Sequence, residues 1–110
     1  MLYLIKGEAM PNVPAQPEQV VVMLENMMLP SLKALAGMER EKKLVGGTMA
    51  GRRAFAIILE APSNEEVEKW LQSLPFWGIV DWRVTPLVSF QTRLDSVTSM
   101  VQRVKALLKK

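Results

Sequence analysis

The spacing of apolar and polar residues predicts alternating strands and helices from the start of the chain. The segment Leu2–Ala9 is apolar and then alternating, which is typical of a strand, and it ends at the turn-rich segment 10–17. From Glu18, apolar residues recur at helical spacing, and we expect this helix to end at Gly37 and to kink at Pro30. The first third of the chain is therefore predicted to be a strand followed by a helix.

Two adjacent strands are predicted in the middle of the chain. Segments 42–51 and 52–61 have strand-like composition and are separated by a turn near Ala50 and Gly51. The second strand is apolar at successive positions, as is typical of a central strand with both faces covered. Together they predict a hairpin.

A second helix and a fourth strand complete this unit. Ser63 and Glu66 have the spacing of a capping box, and the following residues place one apolar face on a helix: Val67, Trp70, Leu71 and Leu74. Residues 80–85 then alternate between apolar and polar, which predicts a strand that runs into Pro86. Because proline is tolerated on edge strands, this last strand is expected at a sheet edge. The order βαββαβ predicts an α+β, ferredoxin-like sheet with both helices on one face.

The C-terminal segment predicts one more helix. Its apolar residues step by four and three, the spacing of a helix that packs on another helix: Phe90, Leu94, Val97, Val101, Val104 and Leu108. Packing on its own domain and packing on a neighbouring subunit both fit this pattern. We therefore expect a ferredoxin-like domain over residues 1–90 and, over 91–110, an amphipathic helix that supports assembly.

Composition narrows the possible chemistry. The 110 residues suffice for one domain, the net charge is only +3, and the chain has no cysteine and no histidine. Thiol nucleophiles, thiolate metal sites and the commonest general base near neutral pH are thus excluded. The chain has only a small excess of positive charge, and Phe55 is the lone aromatic residue on its face of a central strand. Both observations argue against nucleic acid as a partner. No run of about 20 apolar residues stands out, so we expect no membrane span and a cytoplasmic protein.

Alternation also predicts a candidate site. If Tyr3 faces the helices, Lys6 and Glu8 face the opposite side of the sheet, where Asp81 and Arg83 of the fourth strand join them. Two cations and two carboxylates in an apolar cavity suit a carboxylate ligand and a proton transfer, with Glu8 as the base. The alternative is an ion-pair network at an interface or at solvated strand ends.

Several motifs of the second half resemble those of the muconolactone isomerase family. The matching residues are Ser63, Asn64, Glu66, Leu74, Pro75, Asp81, Val84, Thr85, Pro86 and Leu87. Segment 43–47 resembles the family's second strand, and the resemblance covers residues 1–89. It implies a dimeric α+β barrel in which two sheets meet face to face, often assembled further, and a cofactor-free proton shift on a small lactone acid. The family's histidines are absent from this chain.

The resemblance adds residues to the candidate site. It places Lys6 and Glu8 at a basic and an acidic position of the family and Glu25 at a glutamate, so we expect these three to be catalytic. Independently of the resemblance, alternation makes Arg83, Asp81 and Thr85 the expected substrate-binding residues. Phe76 and Trp77, in the turn before the last strand, are expected to bind substrate at a pocket mouth or else to cover an edge. No cofactor and no metal are expected, and the predicted partners are further copies of the chain and a small carboxylate or lactone. The alternative function is a non-catalytic ligand-binding or assembly protein on the same scaffold.

Overall fold

The computed structural model describes residues 1–11 and 16–109. The predicted turn-rich segment 10–17 therefore lies partly outside the described residues. The strands are β1 (Leu2–Ala9), β2 (Leu44–Thr48), β3 (Ala54–Glu60) and β4 (Val80–Leu87), and the α-helices are α1 (Pro17–Met23), α2 (Leu29–Arg40), α3 (Asn64–Gln72) and α4 (Phe90–Leu108). A π-helical turn, Leu24–Met28, joins α1 to α2, and a 3-10 turn, Trp77–Ile79, precedes β4.

The sheet has the predicted ferredoxin-like topology. Its strand order is β2-β3-β1-β4, and all three neighbouring pairs are antiparallel. Strand β4 pairs only with β1, so Pro86 lies on an edge strand as predicted. Ser63 is the N-cap of α3, as its spacing predicted, because the Glu66 amide donates to Ser63 Oγ at 3.2 Å.

One face of the sheet carries the core. The side chains of Tyr3 and Ile5 on β1 are fully buried, and they pack with β3 and with the apolar face of α3. The Tyr3 hydroxyl donates to Asn64 Oδ1 at 2.9 Å, which ties the central strand to the first turn of α3. On the same face the ring of Phe55 stacks on Phe76, with centroids 5.6 Å apart.

The first helix continues past its predicted end. It runs through Gly37 to Arg40, and its last turn closes with two hydrogen bonds, from the Lys42 amide to the Glu39 carbonyl and from the Lys43 amide to the Met38 carbonyl. Lys42 adopts a left-handed φ of 59°, so this pair of bonds is a Schellman cap with lysine at the position that usually holds glycine. The prediction of Gly37 as the cap was wrong because the closing hydrogen bonds, which sequence does not show, form five residues later.

The π-helical turn lies immediately before Pro30. Proline lacks an amide hydrogen and its ring crowds the preceding turn, and a wider turn accommodates both effects. The chain from Pro17 to Arg40 remains helical throughout. Among the described residues this is the one helix that, by length and composition alone, could cross a membrane. The expectation that no such segment exists is therefore corrected.

Helix α4 extends away from the rest of the molecule. None of its residues is buried, and the molecule measures 73 × 30 × 26 Å as a result. Phe90, at its start, is 95% exposed. Of the two packing modes left open by the sequence, packing of α4 on its own domain is not observed.

Candidate functional site

The predicted site residues of β1 lie on the face of the sheet that carries no helix, which we call the open face. Tyr3 and Ile5 are fully buried beneath the helices, so the pleat of the strand directs Lys6 and Glu8 to the opposite side. Both side chains are exposed in the single chain. The orientation inferred from alternation is thus what the structure shows.

Strand register brings the β4 residues beside them. Arg83 lies directly across from Lys6, and Asp81 lies directly across from Glu8. Directly opposed residues of an antiparallel pair share a face, with Cβ atoms about 5 Å apart. The four charged side chains therefore form one cluster at one end of the open face.

The β2–β3 turn adds a further cation to this cluster. Arg52 donates from Nη2 to Glu8 Oε1 at 3.0 Å, and the two side chains are 62% and 59% exposed. Arg52 and the cluster line a shallow groove of about 320 Å³, here called the charged groove, formed by Lys6, Gly7, Glu8, Met49, Arg52, Ala54, Asp81 and Arg83. Sequence reasoning missed Arg52 because only the folded hairpin brings its turn beside β1. The signal available in the sequence was the pair Arg52–Arg53 next to the predicted turn.

The electrostatics of the charged groove favour an anionic ligand. Three cations, from Lys6, Arg52 and Arg83, surround two carboxylates, and arginine binds carboxylates through two parallel hydrogen bonds. In the described structure Glu8 accepts from Arg52, so a ligand carboxylate that engages Arg52 would free the Glu8 oxygen. The groove can thus hold the carboxylate of a ligand beside the carboxylate of Glu8, which is able to accept a proton.

The remainder of the open face is apolar. Leu4 lies across from Ile58, which in turn lies across from Val45 on the edge strand β2. Val45 is 70% exposed and Ile58 is 40% exposed. Leu2 extends this apolar region along β1. One face of the sheet thus combines an exposed apolar region with the charged groove.

Other predicted site residues lie elsewhere. Thr85 is exposed on the open face, across from Leu4, and does not line the charged groove. Glu25 is exposed on the π-helical turn, in the helix layer on the other face of the sheet. The structure does not bring either residue into the groove.

The two aromatic residues of the turn before β4 also lie outside the groove. Phe76 is 1% exposed and packs in the core, where Phe55 and Trp82 contact its ring, so it cannot line a pocket mouth. Its position differs from the expectation because this turn folds under α2, where the Phe76 amide donates to the buried Ser31 Oγ at 3.0 Å. Trp77 is 40% exposed, and its carbonyl accepts from Trp82 Nε1 at 3.1 Å.

Metal ligands do not cluster in the described structure. Across residues 1–11 and 16–109, no group of three or more histidine, cysteine, aspartate or glutamate side chains is placed to hold a metal ion. Glu8 and Asp81 are the acidic residues that line the charged groove. The chemistry available from the groove residues is ion pairing, hydrogen bonding and proton transfer.

A solved structure with this fold is that of muconolactone isomerase. Its crystal structure matches this chain with a TM-score of 0.65 at 21% sequence identity, covering 81% of this chain and 90% of that chain. This chain has the muconolactone isomerase-like fold. No protein-family model matches the chain, and none of the curated proteins is similar to it in sequence. At this level of identity the likeness shows the fold and leaves the chemistry to the site.

Proposed function

We propose that this chain is a cofactor-independent isomerase that moves a proton within a small lactone or carboxylic acid. The observation that carries the proposal is the charged groove, in which Lys6, Arg52 and Arg83 surround the carboxylate of Glu8. The likeness to muconolactone isomerase, an isomerase by its name, supports the same reaction class.

The proposed step is a proton transfer in two halves. The cations of Lys6, Arg52 and Arg83 bind the carboxylate of the ligand, which releases Glu8 from Arg52, and they stabilise the negative charge that develops when a carbon loses its proton. Glu8 accepts that proton, and the carbon–hydrogen electron pair moves into the conjugated system of the ligand. The protonated Glu8 then returns the proton to a different carbon, so that no atom or electron is gained or lost overall.

Self-association completes the site in this proposal. The apolar region of the open face exposes Leu2, Val45 and Ile58, and apolar patches of this kind mark interfaces. A second sheet packed on this face would cover the apolar region and enclose the charged groove, removing water from around Glu8 and its cations. The protein proposed here is therefore a homo-oligomer, and a cytoplasmic location is part of the same proposal.

A second candidate function is non-catalytic binding of a small carboxylate. The ion pair between Glu8 and Arg52 favours it, because a carboxylate held by arginine at 3.0 Å is occupied and not free to act as a base. The absence of histidine from the chain favours it too. In this case Lys6 and Arg83 bind the ligand and nothing removes a proton from it.

One experiment distinguishes the two functions. The protein is incubated in D2O with a panel of small unsaturated lactones and carboxylic acids, and NMR follows both binding and the exchange of carbon-bound hydrogen for deuterium. Isomerase chemistry predicts exchange that Glu8→Gln lowers at least tenfold while binding remains, since the amide cannot accept the proton. Glu68→Gln on α3, whose side chain bonds only to Gln72 among the described residues, is the matched control and should retain exchange.

The two candidate functions predict different results in this experiment. Binding that depends on Lys6 and Arg83 without any exchange supports the binding protein and overturns the isomerase. If no member of the panel shows either binding or exchange, both functions are overturned.

Sedimentation of Ile58→Glu, which places a charge in the apolar region, tests assembly through the open face. We expect a smaller species than the natural chain forms, and a species of unchanged size would contradict that assembly.

A further inference from the structure

Two apolar helical surfaces outside the open face remain exposed. One is the apolar stripe of α4. The other is the set of large apolar side chains that the helix from Pro17 to Arg40 leaves exposed, here called its outer side. Both are long helical surfaces with large side chains in water, and both are covered by nothing in the single chain. They extend beyond what assembly through the open face would bury.

The α4 stripe runs the whole length of the helix. Its eight large apolar side chains are between 42% and 95% exposed: Phe90, Leu94, Val97, Met100, Val101, Val104, Leu107 and Leu108. The helix has 19 residues, which corresponds to a length of about 28 Å at 1.5 Å per residue. A stripe this long needs an equally long partner.

The outer side of the helix from Pro17 to Arg40 offers that length. Its 24 residues span about 36 Å, and only 6% of its most apolar stretch is buried. Its exposed large side chains are between 37% and 57% exposed: Val21, Val22, Leu24, Met27, Leu29 and Leu32. Helix α3, by contrast, has nine residues and a length of about 14 Å, too short to cover α4.

The charges at one end of each surface are opposite in sign. Between Pro17 and Met28 the charged residues are Glu18 and Glu25, both acidic. The C-terminal half of α4 carries Arg103 and Lys105, and Lys109 follows directly, with no acidic residue among them. A pair of α4 helices would bring these cations together, whereas the acidic half of the first helix attracts them.

We propose that α4 of one copy packs antiparallel along the outer side of the helix Pro17–Arg40 of a second copy. The antiparallel direction places the basic end of α4 beside the acidic end of its partner and opposes the two helix dipoles. Within one chain no residue of α4 is buried, so the contact is made between copies.

One register in this direction brings together an apolar pair and a pair of opposite charges. When Leu107 lies beside Val21, the antiparallel direction places Arg103 beside Glu25. Each chain carries both surfaces, so one copy can make this contact with a neighbour through either of them.

Cysteine cross-linking tests the register directly, since the natural chain has no cysteine. Val21→Cys and Leu107→Cys are made on separate chains that differ in mass by a tag, mixed, and oxidised. We expect a disulfide-linked pair that contains one chain of each mass, at least tenfold more than from a mixture of Glu68→Cys and Leu107→Cys. Equal yields in the two mixtures, or Leu107→Cys linked mainly to itself, would overturn the proposal.

Charge reversal tests the same contact without new cysteines. Glu18→Lys with Glu25→Lys, and separately Arg103→Glu with Lys105→Glu, should each lower the oligomeric state in sedimentation velocity. Mixing the two doubly substituted proteins should restore it, because the charges are again opposite. Failure of the mixture to recover would contradict the pairing.

A membrane is the competing occupant for both surfaces. Flotation with vesicles of 70% neutral and 30% anionic phospholipid measures binding to a membrane, with the natural chain at the concentration used in the sedimentation experiment. We expect the protein to stay with the soluble fraction. Binding to vesicles with loss of the oligomer would show that lipid covers these surfaces and would overturn the proposal.

Discussion

The ring of Phe55 lies directly over Gly7, its partner across the β1–β3 ladder. A Cβ on Gly7 would overlap the ring carbons, and the ring is held in place by stacking on Phe76 and by an edge contact with Trp82 at 5.4 Å. Lys6 and Glu8 flank Gly7 and point to the other face. The aromatic cluster therefore sets the backbone position beneath both candidate site residues.

Substitution of Gly7 by alanine is expected to destabilise the fold. The added methyl group must displace Phe55 from a packed cluster, which costs about 1–3 kcal/mol for overpacking of this kind. Urea denaturation measures the change in the free energy of unfolding. Gly47→Ala is the matched control, because a Cβ there meets nothing within 4 Å, and a loss as large as that of Gly7→Ala would contradict the explanation.

Removal of the Ser31 hydroxyl is expected to cost stability out of proportion to its size. Ser31 is fully buried, and its Oγ accepts a hydrogen bond from the Phe76 amide. Ser31→Ala leaves that amide buried without a partner, at a cost of about 1–3 kcal/mol. Thermal unfolding compares it with Ser96→Ala on the exposed surface of α4, which should be within about 0.5 kcal/mol of the natural chain. Similar melting temperatures for the two variants would exclude a role for this hydrogen bond.

Lys42→Gly is expected to stabilise the chain. Lys42 holds a left-handed φ of 59°, a conformation that costs a side-chain-bearing residue about 1 kcal/mol and costs glycine little. The same change in the middle of α2, Lys33→Gly, should destabilise by about 1 kcal/mol. Chemical denaturation of the two variants should thus shift in opposite directions. Shifts in the same direction would show that the strain at Lys42 is not relieved by glycine.

Truncation after Phe90 is expected to leave the four-stranded unit folded. Helix α4 contributes no residue to the core, so circular dichroism should lose helix signal while a cooperative unfolding transition remains. Sedimentation should show a smaller oligomer, since α4 offers a long apolar stripe and almost no acid–base chemistry. An unchanged oligomer with an unchanged melting temperature would show that α4 is dispensable for assembly.

Much of the fold could be predicted because local patterns and burial agree. Strand β1 has the predicted bounds, Ser63 caps α3, and β4 lies at the edge where Pro86 is tolerated. Alternation also assigned Lys6 and Glu8 to the open face correctly, because a strand that buries Tyr3 and Ile5 has one face left. These features depend on the chemistry of neighbouring residues and on the two-residue alternation of side chains along a strand. Both can be read directly from the sequence.

Two of the features that failed or were missed depend on contacts between distant segments, and one is local. The groove needs Arg52, which reaches Glu8 across 44 positions of the chain. The helix end is the local case, because it depends on short-range hydrogen bonds around Lys42 instead of on Gly37. Phe76 is a core residue because Ser31, 45 positions away, accepts its amide hydrogen beneath α2. The sequence by itself determined the order of elements and the face of each strand, since both follow from local periodicity. Only the tertiary structure decided which charges meet, because long-range packing sets the distances on which ion pairs and hydrogen bonds depend.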